Sequence, residues 1–202
     1  MINYVGVNLT EMITQIGEKE VQTILSDFSC PLNPDVEHFL KYSAIEFSKQ
    51  RISSTYLVMN SYKKEYVLVG YFTLANKIFS IHQDDLPSKS WQRRIAKFAQ
   101  FDSTINRYTL SIPLIGQLGK NFSHKYNTLI TGDELLKLAI DKITEMQRIV
   151  GGKMVYLECD DDPKLLDFYS KNGFVNFGKR KLDFKETGFS SKDYFIQMLR
   201  YI

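Results

Sequence analysis

The sequence predicts an α/β sandwich in which helices flank a central mixed, mostly antiparallel sheet. Three observations predict it: helical-period segments alternate with β-branched and aromatic runs, two such runs stand in hairpin order in the first half, and strand–helix–strand units follow in the second. No repeat, low-complexity tract or Pro/Gly/Ser-rich linker divides the 202 residues, so the expectation is one domain over 1–202 with a variable insertion at about 83–106. Hydrophobic content of 44% with 13% aromatics suffices for a substantial core.

Taken in order, residues 18–28 form an amphipathic helix, and after the turn CPLNPD either Asn33 or Asp35 caps another. That helix presents Val36, Phe39, Leu40, Ala44 and Phe47 at helical spacing. Strands at 55–60 and 65–81 are joined by the polar turn SYKK. In SKSWQRRIAKFAQF (88–101), Trp91, Ile95 and Phe98 share a helical face, and the basic cluster Arg93, Arg94 and Lys97 lies off it. A solvated helix surface is the simplest reading of that cluster; contact with an anionic ligand or RNA is the sharper one. The run 107–121 reads as a strand that loosens at Pro113, which lacks a ladder donor, and at Gly116.

A helix from Gly132 sets Leu135, Ala139, Ile143 and Met146 on one face and ends at Gly151-Gly152. After a compact strand at 153–159, Asp162 caps a short helix with Pro163 at its first position, and Gly173 ends it. Strands from Phe174 and at 193–199 close the chain.

Composition narrows the function classes. The longest apolar run, Tyr66 to Ala75, falls well short of the roughly 20 residues that span a bilayer. The start, MINYVGVNLTEMI, has neither a basic n-region nor a continuous apolar h-region, so the default expectation is a cytoplasmic protein without a membrane partner. Cys30 and Cys159 are isolated, and His38, His82 and His124 are unclustered, which gives no metal-ligand spacing. A net charge of +3 tolerates an acidic ligand without demanding nucleic acid.

The informative segment is 107–177, and the resemblance it carries reaches to about 180. Phe168-Tyr169-Ser170-Lys171-Asn172-Gly173-Phe174 fits the string FYxxxGF, and Gly132-Asp133-Glu134-Leu135-Leu136 fits a glycine followed three and four residues later by leucines. In these strings and in the order of its elements, the segment resembles the GCN5-related N-acetyltransferases, the GNAT superfamily. The resemblance implies an acetyl-coenzyme A dependent N-acetyltransferase, with acetyl-CoA as cosubstrate and a small-molecule or peptide amine as acceptor. The segment 128–133 (Thr128, Leu129, Ile130, Thr131, Gly132 and Asp133) then holds the pyrophosphate, since unpaired N–H groups and the positive dipole end at a helix N-terminus suit an anion. Backbone groups of Gln117, Leu118 and Gly119 on the loosened strand would take the pantetheine arm, and Phe168 is counted with the cofactor contacts.

The loop departs from the family pattern, offering Asn127, Ile130 and Gly132 where the family has Gln or Arg, Gly, and Gly or Ala. Only Gly132 agrees, so the loop must follow a different path or anchor less tightly. GQLGKN at 116–121 is an alternative phosphate cradle. The resemblance makes Tyr169 the general acid for the coenzyme A thiolate, a demand that a phenol with pKa near 10 meets; a packing aromatic is the alternative. Strand 107–121 contributes no carboxylate, which leaves Glu158 as the first candidate base, ahead of Glu65 and Asp160. Two other functions stay open: a non-catalytic GNAT-fold module that binds coenzyme A or a protein, and a toxin-like enzyme acetylating aminoacyl-tRNA. RNA is the less favoured partner, and monomer and homodimer are both open.

Overall fold

Asn8 ends the first strand and begins the first helix: its extended backbone (φ −70°, ψ 130°) lets its side chain accept from the N–H of Thr10 and Glu11. Strand β1 (Val5–Asn8) thus passes directly into α1 (Leu9–Ile16), two elements not expected from the sequence. The computed structural model describes residues 4–182 and 193–202; Met1, Ile2 and Asn3 of the opening stretch lie outside it.

Helix α2 (Glu18–Ser26) follows, then α3 (Pro34–His38), where Asn33, one of the two expected caps, accepts from the N–H of Asp35 and Val36. A π-helical turn, Phe39–Ser43, leads into α4 (Ala44–Lys49). The hairpin is β2 (Ser54–Tyr62) and β3 (Glu65–His82). Its turn is tighter than SYKK, only Lys63 and Lys64, both in the left-handed region (φ 51° and 71°).

Helix α5 (Lys89–Ile95) stops well before 101. Beyond it the chain turns into β4 (Gln100–Asp102), paired antiparallel with the start of β5 (Arg107–Lys120), and Phe98 is left 40% exposed. Strand pairing has overridden helical periodicity. Contrary to expectation, β5 also runs through Pro113 and Gly116: Ile112 and Ile115, both buried, hold it in place, so one missing donor does not interrupt it. The remaining elements are α6 (Gly132–Val150), β6 (Met154–Cys159), α7 (Pro163–Lys171), β7 (Val175–Lys181) and β8 (Tyr194–Tyr201).

Hydrogen-bonded strands follow the order β1-β2-β3-β5-β6-β8-β7, with β4 on β5, and the pairs β1/β2, β2/β3, β4/β5, β6/β8 and β7/β8 are antiparallel. The chain divides into two compact units, Met1–Ala75 with Ile115–Lys142, and Asn76–Leu114 with Ile143–Ile202. In the first, Leu9, Val21, Leu25, Phe28, Leu40 and Ala44 pack on Leu57, Leu68 and Tyr71 of the hairpin, each buried. The second core is aromatic: Phe177 stands edge-on to Trp91 (4.9 Å between ring centroids) and to Phe79 (6.1 Å).

Candidate functional site

In the first unit the loop 121–131 is positioned from several sides. Asn121 donates to the Leu68 carbonyl (2.9 Å) and accepts from the N–H of Ser29 (3.0 Å), which fixes the end of β5. Lys120 donates to the Asn127 carbonyl (3.1 Å), while the Tyr4 hydroxyl (3.1 Å) and the Asn60 amide (3.3 Å) both donate to the Leu129 carbonyl.

Ile130 then turns inward, 2% exposed, with an ordinary negative φ. Upstream in the same loop, His124 and Lys125 adopt the left-handed region (φ 51° and 63°). Each such non-glycine position costs about 1–2 kcal/mol, which the surrounding packing must offset.

The start of α6 carries a device that the sequence reading missed. Glu134 accepts from the Thr131 N–H (2.8 Å) and hydroxyl (2.7 Å), and the Thr131 hydroxyl accepts from the Glu134 N–H (3.2 Å). The signal was present in T-x-x-E at 131–134, a capping box. These bonds hold the Glu134 carboxyl below the usual carboxylate range, and the Thr131 N–H is not available to a ligand. The N–H groups of Ile130 and Gly132, by contrast, donate to no group among the described residues. Of the other residues expected at the pyrophosphate, Thr128 and Asp133 are exposed and Leu129 is half-buried.

Gln117 and Leu118 are half-buried on β5. Within the first unit this part of β5 is flanked by β3, and no strand of the unit covers its other edge. Gly119 has a packing reason of its own: a Cβ there would stand 2.4 Å from Val36 Cγ1, and one on Gly70 would stand 2.9 Å from the Gly119 carbonyl. Regular strand geometry through GQLGK corrects the alternative of a glycine-rich phosphate cradle at 116–121.

In the second unit, Asp162 accepts from the N–H of Lys164 (2.8 Å) and Leu165 (3.2 Å), with Pro163 at the first helical position of α7. At the other end Gly173 adopts φ 79°; its N–H bonds the Ser170 carbonyl (3.0 Å), and the Phe174 N–H bonds the Tyr169 carbonyl (3.0 Å). This paired cap brings the Phe174 ring to 5.8 Å from that of Tyr169, and Phe168 packs on the same ring at 5.0 Å. The string FYxxxGF therefore has a local structural basis in its backbone and rings. Its hydroxyl does not: Tyr169 Oη bonds no group among the described residues. Burial, reinforced by Cys159 and Asp160, pushes the phenol up, so it stays protonated at neutral pH.

Glu158 lies at the centre of an ion-pair hub. Arg180 donates from Nε and Nη2 (both 2.7 Å), Lys77 from Nζ (2.9 Å) and Tyr156 from its hydroxyl (2.5 Å), which itself accepts from Gln197 (2.7 Å). Burial alone would raise the Glu158 carboxyl; Arg180, Tyr156 and Lys77 together hold it below its usual range. So placed, Glu158 is a poor proton acceptor. In the basic cluster of α5, Arg94 stacks over Trp91 (5.3 Å) and Tyr201 (4.8 Å), while Arg93 and Lys97 are exposed. No helix among the described residues is long and apolar enough to cross a membrane.

No protein-family model matches the chain, and no curated protein matches it. Among solved structures it is similar to AtaT complexed with acetyl-methionyl-tRNAfMet, with a TM-score of 0.64 and 17% identity over 96% of this chain and 94% of that one. A Tyr-to-Phe mutant of KacT superimposes with a TM-score of 0.60 at 16% identity, covering 96% and 93% of the two chains. AtaTR bound with AcCoA gives 0.57 at 18% identity over 96% and 92%. Identities this low speak for architecture, and the architecture is the GNAT fold.

Proposed function

We propose that this protein is a single-domain, acetyl-CoA-dependent N-acetyltransferase in which Tyr169 is the general acid. The observation that carries the proposal is the phenol of Tyr169: its backbone and ring belong to the cap of α7, yet its hydroxyl has no described partner and its pKa is raised. In the reaction the acceptor amine attacks the thioester carbonyl, the C–S bond breaks, and Tyr169 delivers its proton to the departing thiolate. The N–H groups of Ile130 and Gly132 at the start of α6 are the donors for the pyrophosphate, and the backbone of β5 at Gln117 and Leu118, on the edge away from β3, is the place for the amide-rich arm. Acetyl-CoA supplies the activated acetyl group. With Glu158 committed to Arg180 and Lys77, the amine's proton leaves through water rather than to that carboxylate.

A second reading, an aminoacyl-tRNA acceptor, is favoured by one observation: the similar structure of AtaT holds acetyl-methionyl-tRNAfMet. Thermal-shift titration with acetyl-CoA tests cosubstrate binding, and coenzyme A thiol release over panels of small amines and aminoacyl-tRNAs tests turnover. Binding without turnover on either panel would favour the non-catalytic module; no stabilisation at millimolar acetyl-CoA would sink the proposal.

A further inference from the structure

Beside the β2–β3 turn, an open cleft of about 410 Å³ is lined by Tyr62, Lys63, Glu65, His124, Lys125 and Tyr126, all within the first unit. Its volume falls within the roughly 300–1,000 Å³ of small-ligand sites. We propose that this cleft binds single-stranded nucleic acid, stacking a base against Tyr62 or Tyr126 and taking flanking phosphates on Lys63, Lys64 and Lys125.

Three observations converge on it. The two tyrosine rings meet edge-to-face at 5.8 Å, His124 lies 5.4 Å from Tyr126, and the Lys63 ammonium stands 5.2 Å from the Tyr62 ring, so flat π-faces and cations share one concavity. The cations are not tied up in ion pairs: Lys63, Lys64 and Lys125 make none among the described residues, and neither does Glu65, the one carboxylate in the lining, while His124 has Asp27 at 3.4 Å. The chain also keeps these cations where the backbone resists them. Lys63, Lys64, His124 and Lys125 all have φ between 51° and 71°, a region glycine or asparagine enters with less strain, so both turns retain a basic side chain against their conformational preference. Unlike the α5 cluster, where Arg94 stacks on Trp91 and Tyr201, the only ring contact of these lysines among the described residues is that of Lys63 with Tyr62, itself part of the cleft.

The ligand chemistry follows from the pairing of π-faces with fixed cations: a polyanion whose bases are unstacked and free to be clamped. The inference deepens the second functional reading and rests on it only for which strand is bound.

Fluorescence anisotropy with a labelled single-stranded RNA of about 12 nucleotides tests it on the full chain. Three phosphate contacts predict an affinity about twentyfold lower at ~200 mM than at ~50 mM salt. Lys63→Glu with Lys125→Glu should abolish binding, and Tyr62→Ala with Tyr126→Ala should weaken it about fivefold or more with the salt slope kept. Lys63→Gly with Lys64→Gly should bind more weakly although the protein is at least as thermostable, because glycine suits the turn. No RNA binding by the native chain, or binding indifferent to all three double variants, would overturn the proposal. So would displacement of the RNA by coenzyme A but not by its 3′-dephospho form, which would assign the cleft to the cosubstrate's nucleotide end. Retained stabilisation by acetyl-CoA in the variants separates this outcome from failure of the acetyl-transfer reading.

Discussion

The first unit offers its candidate groups from the main chain, the N–H of Ile130 and Gly132 and one edge of β5; the second offers side chains, the Tyr169 phenol and the hub around Glu158. Main-chain recognition tolerates changes of residue type so long as the backbone keeps its course. Ile130 is compatible with the GNAT fold on that ground: its side chain is buried, its φ is negative, and its N–H donates to no group among the described residues. Side-chain chemistry has no such latitude, since removing one oxygen from Tyr169 removes the proton it would donate.

The sharpest way to break this contrast is Tyr169→Phe. If the phenol is the acid, turnover in the thiol-release assay falls by about 10²- to 10⁴-fold, while the melting temperature is unchanged, since the cap needs only the backbone and ring. Retained activity would remove the acid role. Next in size is Glu158→Gln, which leaves Arg180 and Lys77 facing a neutral amide in a half-buried setting and should cost about 2–3 kcal/mol in urea unfolding at pH 7. The native protein carries a matching pH dependence. The folded carboxyl of Glu158 lies below its ordinary value of 4.5, so its contribution is present above that pH and is lost as pH falls through the lower folded value. Unfolding midpoints measured from pH 7 to pH 3 should show this loss, and a correspondingly shallower one in the Gln variant.

On the main-chain side, Gly119→Ala forces a methyl to within 2.4 Å of Val36 Cγ1 and should cost about 1–3 kcal/mol, read as a lowered melting temperature. The smallest effect is expected from Thr131→Ala: about 1 kcal/mol for the broken capping box, with acetyl-CoA affinity changed little because the Ile130 and Gly132 N–H groups remain. A large loss of affinity there would mean that the loop depends on side chains after all.

How much was legible in advance divides along the same line. The caps at Asn33 and Asp162, the stop at Gly173, the hairpin and the inward face of α6 follow from local rules, and the structure keeps them. Residues 96–101 went the other way, because helical spacing of Trp91, Ile95 and Phe98 competes with a hairpin whose signals, Asp102 accepting from the Thr104 N–H and Asn106 at φ 52°, lie just downstream. Strand β1 and helix α1 were missed although Asn8 and Glu11 stand at capping-box spacing. At the candidate site, the hub on Glu158 was out of reach: Lys77 and Arg180 are distant in sequence, and nothing local announces that they meet one carboxylate.

Finally, both cysteines are buried, and burial pushes both thiols up, that of Cys159 to about 12. At neutral pH almost none of either is thiolate, the form that attacks disulfide reagents. The folded protein is therefore nearly silent toward such reagents, so colour developed in the thiol-release assay would count coenzyme A alone, and a slow protein-borne rise would instead mark molecules that have opened.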